Sequence, residues 1–128
     1  MLMGPSDELH FAAASNDTIL EIESLQNELG EGPCLEAYRS GEAVAIPDLA
    51  VDERFAHFSR RAGEAGLAAV FTFPMSVNGH RFGALDLYRD AAGDLDAAAM
   101  AAAQVLANVA SAYCTTPMTE LRLRTRWT

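Results

Sequence analysis

Asn78-Gly79 stands between two apolar runs, Leu67–Val77 (LAAVFTFPMSV) and Arg81–Tyr88 (RFGALDLY), and this constrains the fold more than any other feature. An Asn-Gly pair accepts the positive φ angles of a tight two-residue turn, whose twist matches two antiparallel strands. The chain therefore contains a β-hairpin. Pro74 in the first run cannot donate a ladder hydrogen bond, so it marks an edge, a bulge or a break. In the returning run side chains alternate faces, so Phe82, Ala84, Asp86 and Tyr88 share one side, while Gly83, Leu85 and Leu87 share the other.

The remaining elements follow from period and punctuation. Leu9–Ala14 (LHFAAA) reads as a short strand, and Ser15-Asn16-Asp17 as a turn or helix cap. Apolar residues at Ile19, Ile22, Leu25 and Leu29 give Thr18–Leu29 one helical face, which Gly30 ends by accepting a left-handed conformation. Cys34–Ser40 reads as a short helix closed by Gly41, and Glu42–Ile46 as a strand stopped by Pro47-Asp48. Leu49–Gly66 has no clean period and is expected to hold a short helix within a loop. Gly93-Asp94 precedes a long alanine-rich helix over Leu95–Tyr113, capped by Asp94 or Asp96, with a heavier face at Leu106, Val109 and Tyr113. Hairpin-linked strands interspersed with helices predict an α+β domain, an antiparallel sheet with helices on its faces.

Length and charge exclude several roles. A chain of 128 residues, half of them hydrophobic, is sized for one domain with its own core. The net charge is −9, and lysine is absent. Residues 1–116 hold 17 acids against 6 arginines (−11), whereas Arg122, Arg124 and Arg126 against Glu120 make the last twelve residues +2. An acidic body repels phosphate backbones, so direct nucleic-acid binding by it is not expected. The basic end reads as a solvated terminus. Gln104 and Asn108 interrupt the most apolar stretch, Ala97–Ala110, which is too weakly hydrophobic to span a bilayer. No secretory leader is visible in Met1–Ser6, and a reducing cytoplasm is the expected location. Cys34 and Cys114 lack a metal-type spacing, and His10, His57 and His80 are scattered, so no metal site is expected. Gly30-x-Gly32 follows a helix, the wrong context for a phosphate loop.

Several stretches together resemble the GAF family: Leu25–Ala37 (LQNELGEGPCLEA), Ile46-Pro47-Asp48-Leu49, Arg54–Phe58 (RFAHF), Ala65-Gly66-Leu67, Thr72–Met75 (TFPM) and Phe82–Tyr88 (FGALDLY). Their order and spacing look like the actinobacterial GAF domains that precede an RNA-binding ANTAR domain. The resemblance implies a central antiparallel sheet with terminal helices and often a dimer interface on one face. It implies a pocket on the other face, roofed by the segment Leu49–Gly66. It further implies a GAF-like unit over 1–114 that lacks the family's usual first helix and strand, and a short basic tail over 115–128 in place of the ANTAR domain. Such a chain is expected to be a non-catalytic small-molecule sensing module of a bacterial signalling or transcription-regulation protein. A homodimer through the alanine-rich helix is expected, without membrane contact. The sequence specifies no cofactor and no ligand. The alternatives are a dimerisation module with an occluded pocket, or an enzyme like the free methionine-R-sulfoxide reductases, which are GAF proteins with a catalytic cysteine.

The candidate pocket comprises Cys34, Phe55, Phe58, Val70, Thr72, Asp86 and Tyr88. Cys34 is either a reactive thiol at a helix start or a small buried apolar residue. Gly32-Pro33-Cys34-Leu35 resembles the reductase motif GVCG. However, the stretches Thr18–Leu29 and Phe55–Ala65, where those enzymes carry further cysteines, contain none. Where they carry an acid on the hairpin's first strand this chain has Val70, and of their two LDID aspartates only Asp86 remains. Asp86 on the pocket face needs a partner, from a polar ligand, Arg54, Arg81 or water. Phe55 and Phe58 either close a lid over a ligand, with Arg60 and Arg61 at its mouth, or plug the core.

Overall fold

The computed structural model describes residues 2–3, 9–10 and 16–114. In chain order these form β1 (Leu2–Met3), β2 (Leu9–His10), α1 (Asp17–Leu29), α2 (Pro33–Ser40), β3 (Val44–Ile46), a 3-10 turn (Leu49–Val51), α3 (Ala56–Glu64), β4 (Ala69–Val77), β5 (His80–Arg89) and α4 (Ala97–Cys114). The sheet order is β2-β1-β5-β4-β3, with every pair antiparallel. A strand at Leu2–Met3, not foreseen from the sequence, lies against β5 at Gly83. Residues 11–14 of the strand expected over Leu9–Ala14, and the basic tail over 115–128, lie outside the described residues.

The hairpin is the backbone of the sheet. Asn78 (φ 53°) and Gly79 (φ 79°) both take the positive φ that a type I′ turn demands. β3 pairs with β4 only over Val70–Thr72. Pro74 therefore lies where β4 has lost its β3 neighbour, and its missing N–H is tolerated there. A bulge follows: Met75 faces Gly83 but Ser76 faces Arg81, which makes Phe82 the extra residue of β5. This corrects the simple alternation. Phe82 does not share a face with Ala84 and Tyr88; it packs with Leu85 and Leu87 on the opposite side.

Two apolar clusters flank the sheet. On one side Phe71, Phe73 and Met75 meet Ala103 and Ala107 of α4. The small methyl groups bring the helix close to the sheet, and Gln104 donates to the Pro74 carbonyl (3.1 Å). Since the alanines face inward, the heavier residues face outward: Val105, Leu106 and Val109 are 60, 52 and 53% exposed. Asp96 begins α4 by accepting from the Ala99 N–H (2.7 Å), so Leu95 falls outside the helix and packs against the sheet. On the other side α1, α2 and α3 contribute Ile22, Leu35, Ala37, Phe58 and Ala62 to a cluster with Val44, Ile46, Val70 and Ala84. Among the described helices only α4 occupies the first face. None of them is long and apolar enough to cross a membrane.

The end caps fix α1, which carries part of the site. Asn16 Oδ1 accepts from the Ile19 N–H (2.9 Å), and Gly30 at φ 66° returns its N–H to Gln26 (2.9 Å). Asn16→Ala is expected to lower stability by about 1 kcal/mol. Denaturant unfolding checks this, and an unchanged midpoint would show that the cap contributes nothing.

Candidate functional site

The pocket-side face of the hairpin places Asp86 and Tyr88 opposite Thr72 and Val70. Above them α2 begins at Pro33, whose fixed φ suits a first helical turn, so Cys34 points toward the sheet. α1 closes the third side. Its buried residues are Ile22, Glu23, Leu25 and Gln26.

These elements converge on a polar cluster inside an apolar shell. The Cys34 thiol donates to Asp86 Oδ2 (2.8 Å) and lies 3.8 Å from Glu23 Oε2. The ligand atoms of Glu23, Cys34 and Asp86 all lie within 4.8 Å of one another. Tyr88 donates its hydroxyl to Glu23 Oε1 (3.0 Å), and Gln26 Nε2 donates to Glu23 Oε2 (3.3 Å). Gln26 Oε1 accepts the Cys34 N–H (2.9 Å), tying α1 to the first turn of α2. Thr72 Oγ1 and Asp86 Oδ1 are buried and have no hydrogen-bond partner among the described residues.

The electrostatics follow from burying acids close to one another. Burial, and then the nearby Asp86 charge, raise the Glu23 carboxyl well above the usual carboxylate range. Burial, then Asp86 and Glu23, likewise push the Cys34 thiol and the Tyr88 hydroxyl well up. Cys34 is therefore held as a thiol. The thiolate that a helix start favours is opposed here by full burial and two acids.

The structure thus brings most of the predicted residues together. Cys34, Phe55, Phe58 and Val70 share one buried cluster, against which Tyr88 packs, and Thr72 and Asp86 lie on the same sheet face. Phe58 and Val70 are fully buried and Phe55 is 7% exposed, forming the apolar wall under the roof. The roof is locked from within: Asp52 Oδ2 accepts the Phe55 N–H (2.9 Å) and the Ser59 hydroxyl (2.6 Å). The expected arginine partners of Asp86 are elsewhere. Arg54 pairs with Glu36 (3.6 Å) and lies over the Phe55 ring, and Arg81 donates to the Arg39 carbonyl (3.2 Å). Asp86 takes the Cys34 thiol instead. His57, Arg60 and Arg61 are exposed.

Sequence reasoning missed Glu23 and Gln26. Their signal was present: Ile19, Ile22, Glu23 and Gln26 follow the i, i+3, i+4, i+7 pattern of one helical face. Two polar residues inside an apolar stripe require partners that only the folded core can supply.

The model of the GAF domain family matches residues 2–113. Among solved structures, the chain is similar to a domain assigned to a two-component sensor histidine kinase protein from Sinorhizobium meliloti 1021. That match has a TM-score of 0.55 and 18% identity, covering 65% of this chain and 57% of the other. It is also similar to free methionine-R-sulfoxide reductase from Neisseria meningitidis, solved with its substrate, with a TM-score of 0.54 and 16% identity over 77% of this chain and 52% of that one. The chain thus spans little more than half the length of either solved chain. No curated protein matches it significantly.

Proposed function

The chain belongs to the GAF domain family, and from that premise we propose that it is a non-catalytic small-molecule sensing domain of a bacterial signalling or transcription-regulation protein, working as a cytoplasmic homodimer. The GAF-like unit is assigned to residues 1–114. The observation that carries the sensing reading is the enclosed cluster of Glu23, Cys34, Asp86 and Tyr88. It is walled by Phe55, Phe58 and Val70, and the unpartnered acceptors Thr72 Oγ1 and Asp86 Oδ1 adjoin it. Buried polar atoms without partners are costly, and a bound polar ligand is one way to satisfy them.

The non-catalytic part rests on Cys34. Attack requires a thiolate, and this thiol is fully buried and faces carboxyl groups. The fold it shares with the reductase keeps the alternative of a thiol enzyme in view, but α1 and α3 supply no second cysteine. The homodimer reading rests on Val105, Leu106 and Val109, exposed on one side of α4. The link to transcription regulation rests on the likeness to ANTAR-associated GAF domains.

Native mass spectrometry of the purified chain tests both parts. A dimer carrying the mass of an organic molecule is the expected spectrum, with monomers from the Leu106→Glu, Val109→Glu double variant. Apo monomers throughout would refute the reading. An apo dimer would favour a dimerisation module with an occluded pocket.

A further inference from the structure

We propose that Glu23, Cys34 and Asp86 form a binding site for a divalent transition-metal ion of the zinc class, with three protein ligands and one open coordination position. The inference deepens the sensing reading of the same site and rests on it for its meaning, since the open position is where an exogenous ligand would coordinate.

The geometry carries the proposal. The three donors come from α1, α2 and β5, three separate elements, and their ligand atoms lie within 4.8 Å of one another. A tetrahedral ion with a metal–sulfur bond of about 2.3 Å and metal–oxygen bonds of about 2.0–2.2 Å sets sulfur and oxygen roughly 3.5 Å apart. The observed separations, 2.8 Å from Cys34 Sγ to Asp86 Oδ2 and 3.8 Å to Glu23 Oε2, bracket that figure. Modest side-chain movements would therefore admit the ion.

A second observation points the same way. Thr72 is fully buried and its Oγ1 has no hydrogen-bond partner among the described residues. It lies directly across the ladder from Asp86, so its side chain is on the same sheet face. A hydroxyl there suits the molecule occupying the open position. Asp86 Oδ1, also unpartnered, keeps lone pairs free.

Glu23 has the support a ligating carboxylate needs. Tyr88 holds Oε1 and Gln26 holds Oε2, fixing its orientation before any ion arrives. The ion enters, the Cys34 thiol proton and any proton held by the Glu23 carboxyl leave to solvent, and the ion coordinates the thiolate and two carboxylates. The mixed sulfur and oxygen set suits zinc, iron, cobalt or nickel better than magnesium or calcium, which take oxygen alone. The cysteine and histidine spacings, on which the expectation of no metal rested, have no bearing on a donor set of one cysteine and two acids.

Cobalt(II) is the probe, because a thiolate ligand gives it a near-ultraviolet charge-transfer band. The whole chain, stripped with chelator, is titrated with Co²⁺ and then Zn²⁺. Expected are one ion per chain, a charge-transfer band with tetrahedral d–d absorption, and displacement by Zn²⁺. Cys34→Ser abolishes the band and weakens binding more than about tenfold, Gln26→Leu weakens it about 10–100-fold, and Cys114→Ser leaves both unchanged. Should Cys34→Ser fail to fold, the wild-type spectrum and the Cys114→Ser control still decide the source of the thiolate. Absence of binding by folded protein overturns the proposal, as does binding without the band or a band that follows Cys114. An organic mass retained by native spectrometry alongside no Co²⁺ binding would sink the metal site and leave the sensing reading standing.

Discussion

Phe58→Ala lowers the stability of the folded chain by about 3–5 kcal/mol, the cost of emptying a rigid aromatic site in a packed core. Phe58 is completely buried and pins α3, the roof of the site, onto the core cluster that holds Ile46 and Val70. A domain of ordinary stability has about 5–15 kcal/mol in total, so the variant sits near its unfolding midpoint in mild denaturant. Urea unfolding measures the loss. A loss below about 1 kcal/mol would show that the roof packs loosely, contrary to full burial of its anchor. The cavity also has a functional use. If the roof survives, the space left is lined by apolar side chains and should take up benzene or indole, raising the melting temperature of the variant alone.

Gly32→Ala is the second large effect, and a paired control gives its test. Gly32 takes φ 148°, ψ 165°, a region open essentially to glycine. A Cβ there would overlap Oε1, Cγ and Cδ of the buried Gln26 side chain. Backbone strain costs about 1–3 kcal/mol, and displacing Gln26 from the Cys34 N–H and Glu23 orphans buried groups for about 1–3 kcal/mol more. Gly30 also has a positive φ, 66°, but a Cβ there meets nothing within 4 Å. Gly30→Ala should therefore cost only about 1 kcal/mol. Equal effects at both positions would mean that the contact with Gln26 is irrelevant. A larger loss at Gly32 would tie the glycine to the site.

The local signals were legible wherever one residue type dictates backbone geometry. Asn78-Gly79, Pro74, Asn16 and Gly30 each impose one conformation whatever surrounds them. Faces were legible where a period ran unbroken, as for Asp86 and Tyr88, whereas Val70 and Thr72 were placed beside them by the family resemblance. They failed where it broke: one bulge moved Phe82 to the other side of the sheet. The roof does carry a stripe, Phe55, Phe58, Ser59 and Ala62 at i, i+3, i+4 and i+7, but it is short and half of it is small or polar, and Asp52 completes it by bonding locally to Phe55 and Ser59. The inward direction of Glu23 and Gln26 was encoded in helical spacing, but their polarity concealed it. The outward direction of Leu106 and Val109 was hidden because alanine rather than leucine forms the contact of α4 with the sheet.

The span of the site contacts sets a timetable for their formation. The β4–β5 turn closes over two residues, so the hairpin assembles among near neighbours. The Cys34–Asp86 and Glu23–Tyr88 contacts join residues 52 and 65 positions apart. Such loops close after local structure has formed, because their entropy must be met before the contact rewards it. During synthesis the amino-terminal portion, with Glu23, Gln26 and Cys34 already made, holds three polar groups that have no completed enclosure until the strand ending at Arg89 leaves the ribosome. The cluster of Glu23, Cys34, Asp86 and Tyr88 therefore cannot exist in a chain that stops short of the second strand of the hairpin.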